Sequence, residues 1–333
     1  MMESMLGPST NPYNDTLIPL WANAHEVFVD EVRLHNLARD WSRERFPIPD
    51  WRQIVFPDDD LVFVDFIGVG NTINFAFTNF ETYDSYQVGY DGQVWRGAYA
   101  MWAALKRALG NNVPILDAKY LRALDQREFR LIFEGITELP LSDHRLAMLR
   151  DVGATLVNRF NGSFRTLFDA PTPSAFGAKG VVTQLVGNFN AFQDIGVVAS
   201  LGLSAQFHKR AQLFAMMYEG RARTSTALRP LADSDSIGPI ADYSVPRALH
   251  ASGILKYSEE LDRKVQSRTP IEPNSVEELE IRALAIRAQQ LLLQEINRLR
   301  IEQPINYIQL DFKLWTLGRT ITEPHHLTAT TAY

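Results

Sequence analysis

Apolar residues recur along most of the chain at intervals of three or four, which is the spacing of one face of an α-helix. Capping residues and glycines mark the ends of several such segments, as at Asp117, Asp125 and Gly110. Ser275 and Glu278 form the pattern of a capping box ahead of the longest segment. Helices are therefore predicted over residues 25–45, 96–109, 118–124, 126–134, 140–160, 175–189, 207–218, 246–250 and 275–302.

A different pattern marks residues 60–95. Residues 61–67 form a continuous apolar run rich in β-branched and aromatic side chains, and the run resumes at 73–77 after Gly68 and Gly70. Such runs are typical of strands, and residues 306–310 predict one more short strand. The predicted fold class is therefore mainly α with a small β-sheet insertion near 60–95.

The organisation of the chain follows from its composition. Polar residues and prolines dominate the beginning, so residues 1–24 are predicted to be an N-terminal arm. No internal repeat or low-complexity linker interrupts the rest, and 46 % of all residues are apolar. This fraction is enough for a substantial core, so residues 25–333 are predicted to form a single domain.

Composition and charge narrow the classes of function. The chain has no cysteine, which excludes disulfides, thiolate catalysis and cysteine-ligated metals. Its net charge is −6, whereas a protein that binds nucleic acid usually carries a basic face, so a small nucleotide is favoured over a polynucleotide. No segment approaches the roughly 18 apolar residues of a membrane span, and the N-terminus lacks the features of a secretory signal. A cytoplasmic protein is therefore predicted.

Candidate chemistry concentrates in residues 192–248. Asp194, Lys209 and Asp242 lie among apolar neighbours there, whereas most other charges follow helical surface patterns. Asp242 comes just before a helix-start signal at Ser244. A carboxylate in that position either caps the helix or is held, partly dehydrated, against a substrate, and the residues alone leave both interpretations open.

Other common kinds of site find no support. The seven histidines show no metal-ligand spacing; only His325 and His326 are adjacent, and neighbouring residues rarely chelate one ion, so no metal site is predicted. The Gly-x-Ser-x-Gly motif of a serine hydrolase is absent. Most of the aromatic residues crowded into 63–102 are expected to pack in the core. A purine-like base needs flat apolar faces to stack on, and the candidates for that contact are Phe75, Trp95 and Phe207.

An ordered set of segments resembles the queuosine salvage family, whose members are queuosine 5′-phosphate N-glycosylases, or hydrolases. The most distinctive segments are 207–212 (FHKRAQ) and 241–247 (ADYSVPR). Further segments in the same order are 71–77 (NTINFAF), 162–164 (GSF), 188–194 (NFNAFQD), 253–258 (GILKYS), 310–315 (LDFKLW) and 324–326 (PHH). The resemblance covers nearly all of 25–333. The chain departs from the family pattern at Asn71, where the family has aspartate, and at Thr78, where it has tryptophan. Asn71 keeps the ability to hydrogen-bond a base or ribose.

The resemblance implies a hydrolase that cleaves the N-glycosidic bond of queuosine 5′-monophosphate and releases queuine for salvage into transfer RNA modification. It also implies a compact helical glycosylase-like fold, distantly similar to the helix-hairpin-helix DNA glycosylases. In that fold Lys209 and Asp242 would be the catalytic pair. Asp242 would stabilise an oxocarbenium-like ribose and position water, and Lys209 would support it. Hydrolysis needs no cofactor. The expected partners are the nucleotide and queuine, without stable nucleic acid or membrane.

The implied base contacts are more specific. The base has carbon where guanine has N7, so the enzyme must stabilise the leaving anion at the pyrimidine edge or protonate N3. The Asp194 carboxylate can accept hydrogen bonds from the N1–H and the amino group of that edge. Alternatively, it binds the ammonium group of the queuine side chain, or it caps a turn.

Candidates for the 5′-phosphate contact are His208, Lys209, Arg210 and His250, although Arg210 is interpreted as a surface or salt-bridge residue. His325, His326 and Tyr333 match family positions, and they either close the site or pin the C-terminus. Two other classes stay open: a transfer RNA or DNA base glycosylase, which predicts a basic surface, and a non-catalytic helical adaptor, which predicts no buried Asp/Lys pair.

Overall fold

The computed structural model describes residues 11–198 and 202–333, which divide into two compact units. The first unit contains the described part of Met1–Pro49 together with Asp194–Lys209 and Asp235–Ala329. The second contains Asp50–Gln193, Arg210–Ser234 and Thr330–Tyr333. The single domain expected over 25–333 stays a prediction.

Helices dominate both units. Of residues 11–198 and 202–333, 52 % are helical, and they form thirteen α-helices. Those of the first unit are α1 (Ile18–Asn23), α2 (Glu31–Trp41), α10 (Ser244–Ala251), α11 (Glu259–Gln266), α12 (Val276–Leu299) and α13 (Tyr307–Thr320). Those of the second are α3 (Asp60–Thr72), α4 (Ala98–Gly110), α5 (Ala118–Ala123), α6 (Gln126–Ile132), α7 (Ser142–Arg159) and α8 (Val181–Asn188). Helix α9 (Lys209–Ala222) starts in the first unit with Lys209 and continues in the second.

The strands of the described residues form three small antiparallel sheets of two strands each. The pairs are β1 (Val27–Val29) with β6 (Leu255–Tyr257), β2 (Gln87–Tyr90) with β3 (Gln93–Arg96), and β4 (Ile195–Val198) with β5 (Leu203–Gln206). The predicted fold class, mainly α with small β elements, is confirmed.

The strand predicted over residues 61–67 is wrong, because these residues lie inside α3. Asp59 starts the helix: its Oδ1 accepts hydrogen bonds from the backbone N–H groups of Leu61 (2.9 Å) and Val62 (2.8 Å). Nearly all later residues of α3 are buried, so the apolar run shows neither the alternation of a half-buried strand nor the stripe of a surface helix. Its continuation to thirteen residues is what favours a helix.

Residues 73–77, also predicted as a strand, form an irregular segment instead. The buried guanidinium of Arg145, on α7, donates hydrogen bonds to the carbonyl oxygens of Ile73, Phe75 (2.5 Å) and Ala76 (2.7 Å). Because these carbonyls are satisfied by one side chain, the segment needs no strand partner. The β-branched and aromatic residues at 73–77 therefore reflect burial and not a strand. The sheet of this region lies further along the chain, in β2 and β3.

Helix α12 is the centre of the first unit and packs against α1, α2, α10 and α13. The Ser275 Oγ accepts from the N–H of Glu278 (3.2 Å), as predicted. The Glu278 carboxylate, however, accepts from the N–H of Asn274 (3.1 Å), so the predicted capping box is formed only in half. Residues on most sides of the helix are buried, including the charged Glu280, whose carboxylate accepts from the N–H of Val27 (3.1 Å) and so positions β1.

The strand predicted over 306–310 is wrong as well, because Asn306 caps α13. Its Oδ1 accepts from the N–H of Gln309 (3.3 Å), and the Gln309 side chain accepts from the N–H of Asn306 (3.1 Å). This local hydrogen bonding prevails over the short apolar alternation. Further along α13, Gly318 lies so close to α10 that an added Cβ would be 2.3 Å from the Ser244 carbonyl oxygen. Glycine is therefore required where the two helices meet.

Residues 1–10 of the predicted arm lie outside the described residues, whereas α1 is packed against α12. The Trp21 indole N–H donates to the carbonyl of Ala283 on α12 (2.8 Å). This part of the segment is therefore a strap on the first unit.

Candidate active site

A hairpin brings two predicted site residues of the first unit together. Strands β4 and β5 pair over four residues each, so the residues that flank them meet at the open end. The Asp194 carbonyl accepts from the N–H groups of Phe207 (3.0 Å) and His208 (3.2 Å). The Asp194 carboxylate accepts from the N–H of Lys209 (3.2 Å), the first residue of α9. Asp194 therefore fixes the backbone position from which the Lys209 side chain extends.

The same carboxylate forms a buried ion pair with Arg282 of α12. Arg282 Nη2 lies 2.6 Å from Oδ2, and Nη1 lies 3.0 Å from Oδ1. Arg282 Nη1 also lies 3.5 Å from Glu278 Oε1, one helical turn earlier on α12. The guanidinium carbon is 3.9 Å from the centre of the Phe207 ring. The carboxylate expected to bind the base is thus already engaged by an arginine and a backbone N–H.

His208 is fully buried in the turn before α9, with φ of 46° in the left-handed region. Its Nδ1 accepts from the N–H of Asp194 (3.1 Å), so Nδ1 carries no proton and the neutral ring is protonated at Nε2. Nε2 faces Gln206 Oε1 at 3.3 Å, and the Tyr13 ring packs edge-on at 4.5 Å. The ring therefore stabilises the strained turn that presents Lys209, and its predicted phosphate contact stays a prediction.

Asp242 lies at the beginning of α10. Its Oδ1 accepts from the N–H groups of Ser244 (2.7 Å) and Val245 (3.0 Å), and the cap interpretation is therefore confirmed. The preceding turn is held by Gln289 of α12, whose amide donates to the Ile240 carbonyl (2.8 Å). Both capping bonds use the same carboxylate oxygen. The cap therefore orients the second oxygen without consuming it, and the catalytic role of Asp242 stays a prediction.

A third buried carboxyl group, Asp311 on α13, was not singled out from the sequence. Burial raises the pKa of Asp311 to about 8, and the negative charge of Asp242 adds to this shift, whereas the positive charge of Lys209 opposes it. Asp311, Asp242 and Lys209 are each less than a tenth exposed. Ile308 and Leu314, three residues before and after Asp311, are also buried. A charged residue at an apolar helix position is the signal that could have identified it.

Two neutral histidines belong to the same unit. The His325 ring stacks on the ring of Tyr243, the neighbour of Asp242, with 4.4 Å between centres. Burial lowers the pKa of His325 to about 4, against the effect of its hydrogen bond to the His326 carbonyl. Burial lowers the pKa of His326 to about 3, and the positive charges of His325 and Arg282 add to this. Both rings are therefore uncharged at pH 7.

His250 lies at the far end of α10. It is eight residues from Asp242, or about 12 Å along a helix axis. Its ring stacks on Tyr257 with 4.2 Å between centres, and its Nε2 is 3.4 Å from Asp262 Oδ1. Burial lowers the pKa of His250, against the effect of Asp262. The structure therefore does not bring His250 together with Asp242.

Three predicted base contacts lie in the second unit. Asn71 is fully buried in the last turn of α3, where its amide donates to a backbone carbonyl one turn earlier (2.9 Å). Phe75 is also buried, and the guanidinium carbon of Arg145 lies 4.1 Å from its ring centre. Trp95, on β3, is half-buried, and its ring N–H donates to a backbone carbonyl (3.1 Å). Of these three residues, Trp95 is the most exposed.

Arg210 is buried, so its interpretation as a surface residue is wrong. Its guanidinium donates to the Thr72 carbonyl, and its central carbon lies 5.0 Å from the Phe75 ring centre. Neighbours along α9 such as Ala211 and Phe214 are buried too, which shows that this part of the helix has no solvent-facing side.

Within the described residues, no three or more histidine, aspartate or glutamate side chains are arranged to hold a metal ion. None of the helices in residues 11–198 and 202–333 has the length and apolarity needed to cross a bilayer.

Comparison with known proteins identifies the family. Residues 55–333 match the family model described as queuosine salvage protein. A queuosine 5′-phosphate N-glycosylase/hydrolase of Sphaerobacter thermophilus is 31 % identical over 316 residues, which cover 93 % of this chain and 94 % of that protein. Proteins of the same name from Bos taurus and Schizosaccharomyces pombe are 29 % identical over 316 residues and 28 % identical over 272. These alignments cover 89 % and 78 % of this chain, and 90 % and 76 % of the two relatives. The chain therefore belongs to the queuosine salvage protein family.

Proposed function

We propose that this protein is a hydrolase that cleaves the N-glycosidic bond of queuosine 5′-monophosphate and releases queuine for transfer RNA modification. The names and coverage of the relatives support this substrate. The observation that carries the proposal is the burial in the first unit of Asp242 and Lys209, the pair implied by the family resemblance, which are 8 % and 4 % exposed. The proposed compartment is the cytoplasm.

The chemistry assigned to Asp242 follows from the reaction. Cleavage of the bond to the base leaves positive charge on the ribose, and a carboxylate beside C1′ stabilises it. The same carboxylate accepts a proton from the attacking water. Two backbone N–H groups hold Asp242 Oδ1, so the group needs no reorganisation during the reaction, which is the condition for strong electrostatic stabilisation in a dry site. The ammonium of Lys209 balances the buried negative charge.

Substrate recognition is part of the same proposal. We assign base contacts to Asp194, Asn71, Phe75, Trp95 and Phe207. The half-exposed ring of Trp95 supports its assignment, and Asp194 contributes only the lone pairs that Arg282 and the Lys209 N–H leave. We assign phosphate contacts to the cationic or hydrogen-bonding groups His208, Lys209 and His250.

The two rival functions predict different features. A glycosylase acting on intact nucleic acid is disfavoured by the net charge of −6. A non-catalytic adaptor predicts no buried Asp/Lys pair, whereas Lys209 and Asp242 are both less than a tenth exposed. The hydrolase acting on a nucleotide is therefore the better supported function.

A base-release assay tests the proposal. The protein is incubated with queuosine 5′-monophosphate and with queuosine, and free queuine and ribose products are followed by chromatography with mass detection. We expect release by the native protein and a loss of at least about 10²-fold in Asp242→Asn. Asp40→Asn, at an exposed position on α2, is the matched control and should keep the native rate. Release from neither substrate would reject the proposal, and release from a transfer RNA instead would support the rival glycosylase.

A further inference from the structure

Residues 11–17 touch two separate parts of the first unit. They precede α1, and Asn14–Leu17 form a 3₁₀-helix that packs against β5. The first part that they touch is the turn between β5 and α9, which ends at Lys209. The second is the irregular chain ahead of α10, which contains Asp242. The segment therefore contacts both of the places that carry the proposed catalytic pair.

The contact with the turn between β5 and α9 has two components. The Thr16 hydroxyl oxygen accepts a hydrogen bond from the N–H of Gln206, the last residue of β5 (2.9 Å). The same hydroxyl donates to the Tyr13 carbonyl (2.6 Å), so it is oriented by the backbone of its own segment. The Tyr13 ring lies edge-on to the buried His208 ring, with 4.5 Å between centres. Both contacts fall within the three residues that precede Lys209.

The contact with the chain ahead of Asp242 is made by two buried amides. Asn11 is 1 % exposed and Asn14 is 3 % exposed. Asn11 Nδ2 donates to the Gly238 carbonyl (2.9 Å), and Asn14 Nδ2 lies 3.4 Å from the same oxygen. Asn11 Oδ1 accepts from the N–H of Tyr13 (3.1 Å), so both polar atoms of that side chain are used. This connection ends four residues before Asp242.

Hydrogen bonds inside the segment make it a stiff connection between its two contacts. The N–H of Asn14 donates to the Asn11 carbonyl (3.3 Å), and the N–H of Thr16 donates to the Tyr13 carbonyl (3.1 Å). A buried polar group that loses its partner destabilises the protein, so each contact resists separation of the groups that it joins. Displacement of one contacted part would therefore either break a hydrogen bond or move the other part with it.

We propose that residues 11–17 are a positioning element that fixes Lys209 relative to Asp242. This inference rests on the proposed function. The element acts through the backbone ahead of each residue of the pair, by the Thr16 hydroxyl at one end and the Asn11 amide at the other. A displacement of about 1 Å in a catalytic group is enough to slow a reaction by about 10²-fold. Loss of the connection therefore affects kcat more than KM.

Breaking the connection at one end tests the inference. Thr16→Val replaces the hydroxyl by a methyl group of similar size and removes the acceptor of the Gln206 N–H. With queuosine 5′-monophosphate, kcat should fall by about 10- to 10²-fold, with a smaller change in KM. Thr16→Ser keeps the oxygen and should keep a kcat close to the native one. Asp15→Asn, at an exposed position of the same segment, is the matched control. A native kcat in Thr16→Val, or an equal loss in Thr16→Ser, overturns the inference.

Breaking both ends separates one connection from two local contacts. A variant with Asn11→Ala and Asn14→Ala removes both amides from the Gly238 carbonyl. Because either break disconnects the two parts, this variant should lose about as much kcat as Thr16→Val. Combining all three substitutions should then lose no more than either variant alone. Independent contacts would give losses that multiply, and that result would contradict the proposal.

Amide hydrogen exchange, followed by mass spectrometry, examines the connection without substrate. In Thr16→Val, exchange should become faster at the far end, in peptides that contain the N–H groups of Ser244 and Val245, which Asp242 caps. Faster exchange confined to β5 and the start of α9 would overturn the inference while leaving the proposed function intact. Native protein inactive on the nucleotide would instead reject the proposed function, and the exchange rates would still decide whether the two parts are connected.

Discussion

Arg282 and Asp194 form a two-point ion pair that ties the open end of the β4–β5 hairpin to α12. Their nitrogen–oxygen distances are 2.6 and 3.0 Å, and both side chains are almost completely buried. The same carboxylate accepts the N–H of Lys209. One ion pair therefore connects the longest helix of the first unit to the residue that supplies the ammonium of the candidate site.

Replacing Arg282 by methionine should destabilise the protein strongly, because the Asp194 carboxylate then stays buried without a counter-ion. The expected loss is about 3–5 kcal/mol in the free energy of unfolding, measured in urea. Arg298→Met is the matched control on the same helix: Arg298 pairs with Glu295 at 3.0 Å but its side chain is 64 % exposed. That loss should be below about 1 kcal/mol. Similar losses in the two variants would contradict the argument.

Gly318→Ala should disturb the candidate site from a distance. The new methyl group would meet the Ser244 carbonyl, which can move only together with the start of α10 and Asp242. We expect a loss of about 1–3 kcal/mol in stability and a fall in kcat larger than any change in KM. Gly187→Ala, on α8 with nothing near the added methyl, should be neutral or stabilising. A native kcat in Gly318→Ala would show that Asp242 tolerates the shift.

Asp311 should make stability depend on pH. Its ordinary carboxyl pKa is 3.8 when the chain is unfolded and about 8 when folded, so the folded state binds more protons between these values. Stability from this group is complete below about pH 4 and is lost as the pH rises through 8. Asp311→Asn should therefore unfold near the native temperature at pH 4 and at about 5 °C above it at pH 8.

The control for that comparison is Asp40→Asn, whose melting temperature should follow that of the native protein at every pH. Differential scanning calorimetry measures all three proteins. A melting temperature of Asp311→Asn that falls with pH as steeply as the native one would assign the effect to another group.

His326 should have the opposite effect. Its pKa falls from 6.5 to about 3 on folding, so the unfolded chain binds more protons between these values. Stability from this group is complete above about pH 6.5 and decreases as the pH falls towards 3. His326→Gln should lose less stability between pH 7 and 4.5 than the native protein, as measured by chemical unfolding. His144→Gln, at an exposed position, should keep the native pH dependence.

Local signals in the sequence predicted local structure well. Asp117 and Asp125 cap their helices as expected, because capping depends on residues within one turn. The apolar residues 61–67 were wrongly predicted as a strand. Because α3 is buried on all sides, its sequence lacks the hydrophobic periodicity that distinguishes a helix from a strand. Nothing near Arg282 in the sequence indicates its pairing with Asp194, because the two residues are 88 positions apart.

The candidate site, too, could be predicted only in part from the sequence. Asp242 stands out through the helix start that follows it, and its pairing with Lys209 came from the family resemblance. Asp311 lies in a segment that also matches the family, but its importance depends on the packing of α13 against α10. No pattern within the chain encodes which charges a buried group meets when distant helices pack together.

The β4–β5 hairpin also restricts how the spacing between Asp194 and Lys209 can vary. Side chains alternate between the two faces along a strand, so losing one residue from one strand turns every later side chain of that strand to the other face. The backbone bonds at the open end would then lose their partners. Removing one residue from each strand preserves them. Within these strands, the parity of the spacing is therefore a property of the candidate site.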